Sequence, residues 1–204
     1  MTLKQSFCPS PWFHMRITPA GHYEYCRWAE APNTHSIQTQ TPVEFFQQTM
    51  QPIRQEFLDG SMPAGCHTCQ AMEQHGKVSG RQRQLLKAGI REIAWAKTLH
   101  SSPMYDDFAY SQDHHGHTPR PVSDWQIDLG NYCNSACVFC RPESSSRLAA
   151  EFQRIGLISQ LPQANWCEDP VLLDRFVQNL VCNPKLRYLH FIGGETLITP
   201  GFER

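Results

Sequence analysis

The chain has 204 residues, enough for one or two domains with a core that folds unaided. Eighteen Lys and Arg against 19 Asp and Glu leave a formal net charge of −1, and 18% of residues are charged. Such a balance supplies no field to hold nucleic acid or anionic lipid non-specifically. No apolar run approaches the ~20 residues of a membrane span. The N-terminus lacks an apolar stretch and a small-residue cleavage site, so a cytoplasmic location is expected rather than secretion. Nine cysteines in a reducing compartment then point to metal or redox chemistry rather than disulfides.

Taken in chain order, residues 12–17 and 23–28 are rich in aromatic and β-branched side chains. Thr18-Pro19-Ala20-Gly21 between them carries turn chemistry, which predicts a hairpin. Thr41-Pro42-Val43-Glu44 has the form of a capping box. The apolar residues Phe45, Phe46, Met50, Ile53, Phe57 and Leu58 continue it at helical period, with Pro52 expected to kink or divide the helix. A further helical pattern runs from residue 70 to about 99 through Leu85, Leu86, Ile90, Ile93 and Ala94. Residues 101–121 collect Pro, Ser, Asp, Gly and His without periodicity and read as a linker. A strand over 125–129, helices over 144–155 and 171–181, and a strand over 186–192 follow. That order is the pattern of a βα unit in a parallel sheet, so the expected class is α/β.

The strand over 125–129 leads into Cys133-Asn-Ser-Ala-Cys137-Val-Phe-Cys140, a C-x3-C-x2-C loop. Three thiolates on one short loop can cap three corners of a cubane iron–sulfur cluster and leave one iron open. Structural zinc sites prefer paired knuckles and a closed tetrahedron. The loop resembles the signature of the radical S-adenosylmethionine (radical SAM) superfamily, including an aromatic, Phe139, before the third cysteine. The strand over 186–192 ends in Gly193-Gly194-Glu195, similar to the family's second strand. The resemblance implies that Cys133, Cys137 and Cys140 hold a SAM-binding 4Fe–4S cluster and that Phe139 lies in the cofactor site. It also implies that Gly193 and Gly194 admit the methionyl part of SAM and that Glu195 receives its ammonium. Thr196 departs from the proline more often found after the glutamate.

Cys8, Cys26 and the pair Cys66 and Cys69 form a second set of four, which by spacing alone suits zinc or a 4Fe–4S cluster equally. The pattern C-x12-G-x4-C with a later C-x2-C resembles twitch and SPASM modules, which carry auxiliary clusters. The run from Cys69 through Glu73 and Ser79 to Arg81 is similar to the segment that follows the last cysteine pair there. Here the module precedes the other motif, as in a smaller, twitch-first group. Cys167 and Cys182 have no partners at ligand spacing; Cys182 is expected as a core thiol. The tract Asp113–His117 reads as solvated linker. Trp12, Trp28 and Trp95 are expected in the core, and Arg81 and Arg83 on a solvated helix face.

The expected organisation is a twitch-like α+β module over 1–85, a helix and linker over 86–121, and the beginning of a radical SAM partial (βα)6 barrel over 122–204. The implied chemistry is reductive cleavage of SAM to a 5′-deoxyadenosyl radical, with an auxiliary 4Fe–4S cluster nearby. By analogy with twitch-bearing relatives, the substrate is a peptide or protein and the electron donor a flavodoxin or ferredoxin, with no membrane or nucleic-acid partner. A small molecule or RNA as substrate, or a non-enzymatic zinc-stabilised binding protein, are the rival expectations. About 80 residues follow the start of the 125–129 strand, far fewer than any such barrel needs. The chain is accordingly expected to be the front part of a longer protein and inactive alone.

Overall fold

The computed structural model describes residues 4–30, 34–90 and 102–202. It is a mixed α/β structure with one open, four-stranded mixed sheet of order β2-β1-β3-β4. The strands are β1 (His14–Ile17), β2 (Tyr23–Glu24), β3 (Asp124–Asp128) and β4 (Tyr188–Ile192). The chain divides into two compact units interleaved in sequence. One comprises residues 1–15, 25–32 and 43–123; the other comprises 16–24, 33–42 and 124–204.

The first unit is helical. Its first helix is not simply kinked at Pro52. It begins as α1 (Pro42–Glu44), widens to a π-helical turn over Phe45–Thr49 and resumes as α2 (Gln51–Asp59). Pro52 lies in the first turn of α2, where its missing N–H has no intrahelical acceptor to lose. The carbonyls of the wide turn are collected by Arg54, whose fully buried guanidinium donates to Phe46 O (2.9 Å) and Gln47 O (3.1 Å). The same group reaches Pro11 O and Gly116 O.

Two helices occupy the described part of the stretch expected as one helical pattern from residue 70 to about 99. These are α3 (His67–Gln74) and α4 (Gly80–Lys87), the second begun by a Ser79–Gln82 capping box. Ile93, Ala94 and Trp95 lie outside the described residues. The expected linker contains a helix, α5 (Tyr105–Asp113). Phe108 anchors it, with its ring 5.1 Å from Phe7 and 5.4 Å from Trp12, and Trp12 Nε1 donates to Ser111 Oγ at 2.8 Å. Phe7, Trp12, Phe57, Leu85 and Phe108 form the centre of this core.

In the second unit, β1 and β2 pair antiparallel, Arg16 opposite Glu24, as the hairpin pattern predicts, although the strands are shorter than expected. Strand β3 is buried along its whole length and pairs in parallel with β4, from Asp124 opposite Tyr188 to Asp128 opposite Ile192. Two helices make the crossover: α6 (Ser146–Arg154), capped by Ser145, and α7 (Pro170–Val181), capped by the Asp169 carboxylate. The ring of Phe176 on α7 meets Trp125 and Trp166 edge-on at 5.4 and 5.2 Å. Tyr188, Leu189 and Phe191 of β4 are exposed. Among the described residues no helix is long and apolar enough to cross a membrane.

Candidate functional site

Strand β3 delivers the chain to the three-cysteine loop at its carboxyl end. The loop then folds back on the start of α6. Asn131 is fixed at both backbone groups, its N–H donating to Asn165 Oδ1 (2.8 Å) and its carbonyl accepting from Ser146 N–H (2.7 Å). Ser145 Oγ donates to Ser135 O at 2.8 Å, and Arg147 Nη1 donates to Asn134 O at 2.9 Å. The Cys133 N–H reaches Ser146 Oγ, and a tight turn joins Cys140 N–H to Cys137 O at 2.9 Å. Cys133 and Cys140 are half-buried and Cys137 is exposed. Val138 and Phe139 stand in solvent, each 95% exposed.

The glycine pair ends β4 against the same backbone. Gly193 has φ +108°, a left-handed conformation that disfavours side chains, and a Cβ there would lie 2.8 Å from both Asp128 Oδ1 and Gly130 O. A Cβ on Gly194 would collide with the Tyr132 carbonyl. The Glu195 N–H donates to Tyr132 O at 2.6 Å, one residue before Cys133. The Glu195 side chain is exposed. Two motifs more than fifty positions apart in sequence thus meet at the carboxyl edge of two paired strands, where open α/β sheets bind ligands.

Beneath this edge lies a charge cluster that sequence reasoning missed. Arg16 donates through Nη2 and Nε to Asp128 Oδ2 at 2.7 and 3.1 Å, and through Nη1 to Glu24 Oε2 at 2.8 Å. Burial raises the Glu24 carboxyl above its ordinary range even though Arg16 opposes it. Arginine alternating with apolar residues is the only sequence signal for this cluster.

In the first unit, Cys8, Cys26, Cys66 and Cys69 line one pocket, together with Tyr25, Trp28, Phe57, Met62 and Arg81. Burial pushes the Cys8 thiol well above its ordinary value, and the neighbouring Cys26 adds to the effect. Burial likewise pushes Cys26 up to about 11. Cys66 is raised by burial while a hydrogen bond with Tyr25 works the other way; Tyr25 Oη lies 3.5 Å from Cys66 Sγ. Four soft sulfur donors line one largely apolar pocket, the donor type that thiophilic metals and iron–sulfur clusters select. Among the described residues no three His, Cys, Asp or Glu side chains are gathered closely enough to hold a single ion.

Arg81 is not on a solvated face. It is buried, paired with both Glu73 carboxylate oxygens, and donates to Gln5 O (2.7 Å) and Phe7 O (3.1 Å) beside Cys8. Trp28 is partly exposed rather than core, whereas Trp12 is fully buried. Cys182, expected in the core, is exposed at the end of α7; Cys167 is the buried one. The tract Asp113–His117 packs locally, with the His114 ring stacked on Tyr110 at 3.8 Å. Comparison of the chain with protein-family models, with curated proteins and with solved structures returns no match.

Proposed function

We propose that the chain belongs to a radical SAM enzyme, with the second unit as the start of its partial (βα)6 barrel and the first as a twitch-like auxiliary-cluster module. The observation that carries this reading is the junction at the sheet edge, where Glu195 N–H is bonded to Tyr132 O and the cysteine loop begins at the next residue. In this reading Cys133, Cys137 and Cys140 ligate a 4Fe–4S cluster, and Cys8, Cys26, Cys66 and Cys69 ligate an auxiliary one.

When bound, the cluster and SAM would supply one-electron reductive chemistry at the sulfonium, the electron coming from an external donor, and with it hydrogen removal from a substrate C–H. The residues of this chain bind and orient. Gly193 and Gly194 let the end of β4 close against the Gly130 and Tyr132 backbone, where a Cβ would collide, and in this reading the edge so formed receives the methionyl group. The exposed Glu195 carboxylate pairs with its ammonium. Phe139 offers an apolar face next to Cys140. Ser145, Ser146 and Arg147 hold the loop carbonyls and so fix where the three thiolates point. A peptide or protein substrate and a flavodoxin or ferredoxin as electron donor belong to the same proposal.

Iron, sulfide and zinc quantification on anaerobically purified full chain tests it. Iron with sulfide at both sites is expected. A colourless protein with stoichiometric zinc overturns the reading. Cys140→Ala is expected to abolish SAM cleavage while the four-cysteine site keeps its iron; cleavage that survives shows that the loop is not the catalytic one.

A further inference from the structure

The four-cysteine pocket contains one protein hydroxyl aimed at a ligand sulfur. Tyr25 is 5% exposed and precedes Cys26, yet its ring reaches past its neighbour to the other cysteine pair. Its Oη lies 3.5 Å from Cys66 Sγ, within the range of a hydrogen bond to sulfur. Gly65 leaves the space this requires, because a Cβ there would sit 2.8 Å from the same hydroxyl oxygen. The backbone of Tyr25 is also held, its carbonyl accepting from Ser10 Oγ at 3.2 Å. Position, burial and the missing side chain next door all direct the phenol to Cys66.

We propose that Tyr25 is a positioning residue that sets the reduction potential of the metal centre in this pocket by donating a hydrogen bond to Cys66. The proposal rests on the assignment of an iron–sulfur cluster to the four cysteines. A ligating cysteine is a thiolate and has no proton to give, whereas a phenol keeps its proton at neutral pH, so the direction of donation is fixed. One-electron reduction adds negative charge to the cluster and its sulfurs. A donor to one sulfur stabilises the reduced form more than the oxidised form, and hydrogen bonds to ligand sulfurs are among the factors that set such potentials. The low polarity of the pocket, with Phe57 and Met62 in its wall, strengthens the effect. The backbone N–H of Trp28, which reaches Cys26 Sγ at 3.4 Å, acts in the same sense but is not removable by side-chain substitution.

The test uses the full chain carrying Cys133→Ala, Cys137→Ala and Cys140→Ala, reconstituted anaerobically with iron and sulfide, so that only this pocket can hold a cluster. Redox titration followed by electron paramagnetic resonance is then compared with and without Tyr25→Phe. We expect equal iron content and a lower midpoint potential in Tyr25→Phe. A tenfold shift of the equilibrium toward the oxidised form corresponds to ~59 mV for a one-electron couple. If the parent takes up no iron, the cluster assignment fails and the tuning role with it. If iron is bound and the potential does not move, the tuning role alone fails. Should Tyr25→Phe not retain its cluster, 3-fluorotyrosine placed at position 25 keeps the size and strengthens the donor. The potential is then expected to rise, and an unchanged value overturns the proposal.

Discussion

At the scale of single residues, the cysteines divide by environment rather than by spacing. Cys137 and Cys182 are exposed, Cys133, Cys140 and Cys66 are half-buried, and Cys8, Cys26, Cys69 and Cys167 are buried. Because burial also raises the Cys8, Cys26 and Cys167 thiols, they hold less of the nucleophilic thiolate at neutral pH. Iodoacetamide applied to metal-free protein is therefore expected to label Cys137 and Cys182 first and Cys8, Cys26 and Cys167 last, as read by peptide mass spectrometry. Early labelling of Cys8 would contradict the pocket. Sequence reasoning placed Cys182 inside on the apolar period of its helix, but it is the residue that ends that helix, where period no longer dictates facing. It named the seven grouped cysteines, since spacing is a property of sequence. It could not name Tyr25 or Asn165, whose contacts with Cys66 and Asn131 are made across the fold.

Among the elements, α3 and α4 are joined by one carboxylate. Glu73 near the end of α3 accepts from Arg81 and from Ser79, the cap of α4. Burial by itself would raise the Glu73 carboxyl; the hydrogen bonds from Arg81 and Ser79, with the Arg81 charge, outweigh it and hold the group below its ordinary 4.5. A folded value below the unfolded one contributes stability that is complete above pH 4.5 and is lost as pH falls through the lowered value. Glu73→Gln is expected to cost about 1–3 kcal/mol at neutral pH. The thermal midpoint of the variant should also fall less steeply than that of the parent on acidification below that range.

The same elements show why part of the fold was hidden. Leu85 was legible as part of a helical period, but a continuous period from residue 70 onward concealed the break at His75–Ser79, and the Ser79–Gln82 capping box went unread. Helix α5 was hidden for the opposite reason. Only Phe108, Ser111 and Asp107 of its residues are buried, so it carries almost no apolar period and takes its stability from Phe7 and Trp12, a hundred positions earlier.

At the scale of the whole molecule, the hairpin is separated by some hundred residues from the strands whose sheet it joins. Its two strands occupy one flank of β3 while β4 occupies the other, so β3 has no open edge, and all five of its residues are buried. Arg16 on β1 holds Asp128 on β3 at 2.7 Å, and removing one partner of a buried pair is strongly destabilising. A piece comprising residues 122–204, the division expected from the motifs, would expose one edge of β3 and leave Asp128 without its cation. It is expected to lack cooperative thermal unfolding and dispersed amide resonances, and adding 14–42 through a flexible linker is expected to restore both. Motif spacing identified the parallel pair and the hairpin separately. Nothing in a four-residue and a two-residue strand specifies which sheet edge they seek, because that choice is made by burial on both faces of β3.

The hydrogen bond from Glu195 to Tyr132 has a consequence for how such a chain can change in length. From Asp128 to Cys133 and from Ile192 to Glu195, both strand exits are pinned to one another by register, by the Glu195–Tyr132 hydrogen bond and by the close backbone approach at Gly194. An inserted residue in either exit would move the Glu195 N–H off the Tyr132 carbonyl and push new backbone into the tight space at Gly194. The crossover between α6 and α7 bears no such constraint, since residues 155–164 are mostly exposed and adopt no helix or strand. The sheet edge behaves as a fixed gauge between two reading points, and the exposed stretch 155–164 on the path that connects them is free to drift.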